Sequence, residues 1–292
     1  MNNIKFAGFG WDGYTGQITR IKEGFKSLGH ELSYDNPDII FCNDPGQYVK
    51  AIQHKQKYPK AFLILNFLDI PWHFPDVLKK ITNEAKLMKT ANVVTVISQK
   101  VKKDLSGFYE GKIEVIYNPI KDVEYNSDTK KENEFLYVGR ANDPVKRIKL
   151  AHEALKILNK ENELIICGME DPKFGRYMGV VKDDKLSELY NKSKIVLLPS
   201  KAEGLGLTMI EGMVCGSVPI VCSDNLTAKE FISNEFVAEP NPESIKNKIE
   251  EINKNYEKFH KLSLEYAEKF KIQFNKKTIA KNIIDIFSKY KK

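Results

Sequence analysis

Apolar residues in this chain fall into two alternating patterns. Short unbroken apolar runs, of the kind buried on both faces of a parallel sheet, are separated by stretches in which apolar positions recur at helical spacing. Runs at residues 4–8, 30–34, 37–42, 61–67, 92–98 and 112–120 predict strands. Between the first two, residues 17–28 place Ile18, Ile21, Phe25 and Leu28 on one helical face, and Gly29 stops the helix. Helices are likewise predicted over 46–57, 76–90 and 99–107, with an irregular DIPWHFP stretch after the strand at 61–67. Residues 122–133 are polar and charged and read as a linker.

Beyond the linker the alternation restarts. Strands are predicted at 134–139, 163–168, near Val180 and Val181, at 195–199 and from Ser217 to Ser223. Helices are predicted at 148–159, 185–192, 207–215, 242–255, 256–270 and 276–290. Strands alternating with helices imply β-α-β units, hence an α/β chain of two doubly wound parallel-sheet domains with a cleft between them. The first covers residues 1–123 and the second residues 124–272.

Composition adds little to this picture. A length of 292 residues suits two domains, and the net charge of +7 suits an anionic ligand or an anionic membrane surface as well as it suits a plain solvated exterior. The four cysteines are scattered without C-x-x-C or zinc spacing, which fits buried reduced thiols in a cytoplasmic protein. The sequence opens on a strand rather than a signal peptide, and no apolar run reaches the ~18–20 residues of a membrane span. The lysines are spread out rather than interleaved with aromatics, so no nucleic acid partner is expected. Basic amphipathic helices over 76–89 and 99–103 leave peripheral contact with the inner face of a membrane open, although Val77, Leu78, Ile81 and Ala85 are better suited to packing on the sheet with the lysines solvated.

The chemistry concentrates in residues 197–223, which read strand, glycine loop, helix, glycine, strand. Gly204 and Gly206 let a ligand approach the backbone, and the amides of a helix starting near Leu207 favour an anion. Glu203 and Glu211 flank that loop. Carboxylates repel phosphate, so their partners must be hydroxyls, and a vicinal diol suits a carboxylate well. A diphosphate with hydroxyls on both sides is a nucleotide-sugar. Two acids on a loop and a helix are common on protein surfaces; it is the glycine-rich strand-loop-helix setting that raises them above that reading. At the start of the second domain, Gly139 and Arg140 follow a strand, and Lys146 and Arg147 open a helix. Cations there would neutralise a departing diphosphate.

On these residues the chain resembles the retaining glycosyltransferases of family 4. The likeness is carried by Gly139-Arg140 with Lys146, Pro199-Ser200, Glu203-Gly204-Leu205-Gly206-Leu207, Glu211-Gly212 and Cys215-Gly216-Ser217-Val218-Pro219. The first domain matches more loosely, through Gly13-Tyr14-Thr15-Gly16, Gly29-His30-Glu31, Ile97-Ser98 and Asn118-Pro119. The resemblance implies the GT-B fold: two Rossmann-like domains, with residues 273–292 as a helix crossing back onto the first. It implies Arg140, Lys146 and Glu203 as the catalytic set, and Gly16, Gly139, Val180, Val181, Gly204, Leu205, Gly206, Leu207 and Glu211 as further donor-binding positions. Asp69, His73 and Ser98 are candidate sugar or acceptor contacts. It further implies a nucleoside-diphosphate sugar as co-substrate, a glycan or lipid-linked acceptor, and no metal or other cofactor. The absence of a D-x-D carboxylate pair agrees with the last point. The sequence departs from the family at Gly212, where alanine is usual, and in the short connection between Tyr34 and Asp38, where relatives carry more chain that shapes the acceptor pocket.

Rival readings have specific weaknesses. Gly8-Phe9-Gly10-Trp11-Asp12-Gly13 satisfies G-x-G-x-x-G, with Asp35 further on, but the following helix begins only at Gln17, too late for a dinucleotide fingerprint. A nucleotide-sugar 2-epimerase of the same fold should carry more acids and histidines around the sugar, of which only Asp69 and His73 are candidates. A non-catalytic sugar-nucleotide-binding protein should have lost Arg140, Lys146 or Glu203.

Overall fold

The computed structural model describes residues 3–10, 16–69 and 76–291. The chain divides into two units, one made of Met1–Pro119 with Gln273–Lys292 and the other of Ile120–Ile272.

The first unit holds six parallel strands: β1 (Lys5–Phe9), β2 (Glu31–Leu32), β3 (Ile39–Cys42), β4 (Phe62–Phe67), β5 (Val93–Val96) and β6 (Ile113–Val115), in the order β2-β1-β3-β4-β5-β6. β3, β4 and β5 are buried throughout, as central parallel strands covered on both faces must be. Helices α1 (Gln17–Ser27), α2 (Tyr48–Lys57), α3 (Val77–Met88) and α4 (Gln99–Leu105) link them. The expected strand over 112–120 is shorter than its apolar run, because only Ile113–Val115 pair with β5 at the sheet edge.

The second unit repeats the plan with β7 (Glu132–Val138), β8 (Leu164–Cys167), β9 (Arg176–Gly179), β10 (Ser193–Leu198), β11 (Val218–Cys222) and β12 (Val237–Ala238), in the order β12-β11-β10-β7-β8-β9. Its helices are α5 (Ile148–Ile157), α6 (Asp183–Lys192), α7 (Leu207–Val214), α8 (Pro242–Lys254) and α9 (Tyr256–Gln273). The strand expected near Val180 and Val181 lies just before them instead, as the edge strand β9. The polar stretch read as a linker is tied down on this unit: Asn126 N–H donates to Asn191 Oδ1 at 2.7 Å, and Asn191 Nδ2 donates to the Glu124 carbonyl at 2.8 Å. Buried Val123 adds an apolar anchor.

A last helix, α10 (Lys276–Tyr290), belongs to the first unit. Its Ile279, Ala280, Ile283 and Phe287 enter one apolar cluster with Phe6, Ile18, Ile21 and Phe25. α1 and α10 approach so closely at Gly24 that a β-carbon there would lie 2.2 Å from the Lys276 carbonyl oxygen. All four cysteines are buried and free. Burial raises their thiol pKa values, Cys42 and Cys215 to about 12 and Cys167 and Cys222 to about 11. Among the described residues no helix is long and apolar enough to cross a membrane.

Candidate active site

The second sheet reverses its strand order between β7 and β10, since β8 and β9 lie on one side and β11 and β12 on the other. Connections leaving neighbouring strands at such a reversal part in opposite directions and open a crevice at their carboxyl ends. Two segments emerge there, residues 139–147 after β7 and 199–206 after β10.

The first segment is a tight loop braced around Asp143. Arg140 Nη2 lies 2.7 Å from Asp143 Oδ2, Val145 N–H donates to Asp143 Oδ1 at 2.9 Å, and Lys146 N–H donates to the Asp143 carbonyl at 2.9 Å. Tyr137 Oη donates to the Arg140 carbonyl at 3.2 Å. Burial, then the nearby Glu203 charge, raises the Tyr137 phenol, so it stays a protonated donor. The Arg140 side chain is 51% exposed. Lys146 and Arg147, which composition alone would have left on the surface, are not: their side chains are 18% and 19% exposed.

The second segment ends in a helix start suited to an anion. Leu205 is buried and anchors the loop. Gly206, at φ 82° and ψ 39°, adopts a left-handed turn that a β-carbon would disfavour, and it stands at the N-cap of α7 without a side-chain cap. The first turn of α7 carries no acid, so the positive end of the helix is not offset there. The two segments meet where Lys146 Nζ donates to Glu203 Oε1 at 2.7 Å. Lys201 N–H also donates to the Val145 carbonyl at 2.8 Å.

The two acids of the glycine loop have different settings. Glu203 is 13% exposed and faces Lys146. Glu211, on α7, is only 3% exposed; its Oε1 accepts from Lys121 N–H at 3.1 Å and its Oε2 accepts from Tyr190 Oη at 3.2 Å. Burial, then the charge of Glu211, pushes the Tyr190 phenol well up, which keeps it a donor. Lys121 in turn holds Asp183 Oδ1 at 2.6 Å. α7 can lie close on β10 because residue 212 is glycine: a β-carbon there would meet Val196 Cγ2 at 2.7 Å. That contact is a physical reason for the departure from alanine.

Other sequence candidates fall elsewhere. Val180 and Val181 follow β9, and Val180 stays 49% exposed. Gly16, Asp69 and Ser98 belong to the first unit. Gly16 is the left-handed N-cap of α1, and Asp69 follows β4. Ser98 is fully buried, and its Oγ caps α4 by accepting from Val101 N–H at 3.1 Å. His73 lies outside the described residues, as do residues 13–15 of the glycine turn. Sequence reasoning missed Asp143, Tyr190 and Asp224 as partners of the site. Only Asp143 carried a local signal, its three-residue spacing from Arg140.

Residues 121–270 match the family model described as glycosyl transferases group 1. The O-antigen chain mannosyltransferase RfbU of Salmonella typhimurium is 30% identical over 186 residues, which cover 56% of this chain and 52% of that protein. The chain spans about half the length of the curated relatives it matches over such stretches. Among solved structures, Anabaena HepE in complex with UDP and glucose gives a TM-score of 0.78 at 15% identity, over 98% of this chain and 100% of that one. A glycosyltransferase from Rickettsia africae gives 0.72 at 16% identity, over 99% of each chain. Both likenesses are of fold, and the fold is GT-B.

Proposed function

Because this chain belongs to the glycosyl transferases group 1 family, we propose that it moves a sugar from a nucleoside-diphosphate sugar to a hydroxyl of a glycan or lipid-linked acceptor. The reading rests above all on the meeting of Lys146 with Glu203, 2.7 Å apart, beside the uncapped start of α7. A cation and helix amides suit the diphosphate, and the carboxylate suits a sugar hydroxyl. Glu211 is the ribose-side acid, Gly139 and residues 204–207 the backbone around the phosphates, and Val180 and Val181 the surface for the base.

The reaction runs with retention and without a metal. The bond from the anomeric carbon to the diphosphate oxygen breaks, the acceptor oxygen bonds to that carbon on the same face, and the acceptor proton passes to the departing phosphate oxygen. Charge gathers on the leaving diphosphate, and Arg140, Lys146 and the α7 amides stabilise it. The O-antigen chain mannosyltransferase relative supports a growing glycan as acceptor and a hexose such as mannose as cargo. Exposed Lys79, Lys80 and Lys86 on α3 offer a positive surface to an anionic membrane carrying a lipid-linked acceptor.

The test is a thermal-shift panel of UDP-, GDP-, ADP- and CMP-sugars followed by transfer assays with and without a chelator. A ligand that binds the folded state raises its melting temperature by mass action. One base should stand out, and transfer should survive the chelator with the anomeric configuration kept. No response to any donor would overturn the reading, and strict dependence on added divalent cation would overturn its mechanism.

A further inference from the structure

The turn that delivers Lys146 is built around a residue poorly suited to it. Arg147 has φ 49° and ψ 30°, a left-handed conformation that a β-carbon disfavours. Its guanidinium makes three hydrogen bonds: Nε donates to the Pro199 carbonyl at 3.0 Å, Nη1 to Asp224 Oδ2 at 2.9 Å and Nη2 to Asp224 Oδ1 at 2.7 Å. Pro199 follows β10 and Asp224 lies just beyond β11, so this one side chain ties the β7–α5 connection to the carboxyl ends of two further strands. A second tie, Lys201 N–H to the Val145 carbonyl, lies two residues before it. Lys146 sits between the two ties.

We infer that Arg147 is a positioning residue for Lys146: the Arg147–Asp224 clamp holds the turn in its left-handed form and thereby keeps the Lys146 ammonium beside Glu203 and the start of α7. A paired guanidinium and carboxylate fix both distance and plane, which a lysine at 147 could not do. The turn's own backbone preference runs the other way, so the clamp rather than the local sequence sets the geometry. The inference rests on the donor reading above, in which Lys146 meets the diphosphate.

Arg147→Gly separates the clamp from the turn, because glycine takes the left-handed conformation freely. The probes are UDP and GDP, titrated calorimetrically, with the melting temperature measured in parallel. Arg147→Gly and Asp224→Asn should each bind the preferred diphosphate roughly tenfold more weakly than wild type. In a Lys146→Ala background, Arg147→Gly should cause no further loss. Wild-type affinity in Arg147→Gly, or the same loss with and without Lys146, would overturn the inference. Should Arg147→Gly fail to fold, Arg147→Lys takes its place in the same cycle with the same two outcomes. A wild-type protein that binds neither diphosphate would instead overturn the donor reading and this inference with it, a result distinct from wild-type binding with indifferent Arg147 variants.

Discussion

Lys146 Nζ rests 2.7 Å from Glu203 Oε1, so the cation assigned to the diphosphate is already neutralised by the acid assigned to the sugar. A bound donor has to share or displace that pair, and the two residues should therefore respond differently to substitution. Glu203→Gln frees the ammonium: affinity for a bare nucleoside diphosphate should hold or rise a few-fold, while sugar transfer falls roughly a hundredfold. Lys146→Ala should lower both. Calorimetric titration alongside initial rates checks this, and parallel losses of diphosphate affinity in the two variants would contradict it.

Glu211 carries a structural load as well as its proposed ribose contact. It is 3% exposed and accepts from both Tyr190 Oη and Lys121 N–H. Glu211→Ala strands a buried phenol and should cost about 1–3 kcal/mol of stability, read as a lower urea midpoint. Glu211→Gln, which keeps an acceptor, should recover part of it. If the alanine variant is as stable as wild type, the buried network does not support α7.

The close seating of α7 on β10 makes an overpacking prediction. With Val196 Cγ2 2.7 Å from the position of an added β-carbon, Gly212→Ala should destabilise by about 1–3 kcal/mol. Val196→Ala opens that space, so the double variant should be less destabilised than the two single effects summed. Simple additivity in denaturant melts would show that the helix moves away freely.

Acid should weaken the fold before the carboxylates titrate. His30, His54, His152 and His260 all have lowered pKa values, with burial the largest cause in each. The unfolded chain, with imidazoles near ~6.5, then binds protons that the folded chain refuses. Stability is full above that unfolded pKa and is lost as pH falls through it toward the lower folded values. Urea midpoints should drop between pH 7.5 and 5.5, taken as roughly the histidine window. A flat or rising midpoint would show that these rings are not held neutral.

What could be read from the sequence follows from where the physics is local. A strand covered on both faces must be largely apolar, so β4 and the Ile195–Leu198 part of β10 announced themselves, and the glycines and acids of residues 203–211 lie close enough together to be seen as one unit. β9 did not: as an edge strand it alternates exposed and half-buried positions and opens on Arg176, while the apolar Val180 and Val181 just past it drew the reading forward. Arg147 and Asp224 are 77 residues apart, and no local pattern links them. Their pairing comes from the adjacency of β7, β10 and β11, which is a property of the sheet and not of any segment.

The return of α10 gives the first unit a discontinuous order of assembly. Residues 120–272 intervene in sequence between its two parts. During synthesis the second unit has its whole sequence available earlier, whereas Phe6, Ile18, Ile21 and Phe25 wait for Ile279, Ile283 and Phe287 to complete their cluster. A chain truncated after Gln273 should therefore present a finished second unit beside a first unit still open to proteases and chaperones.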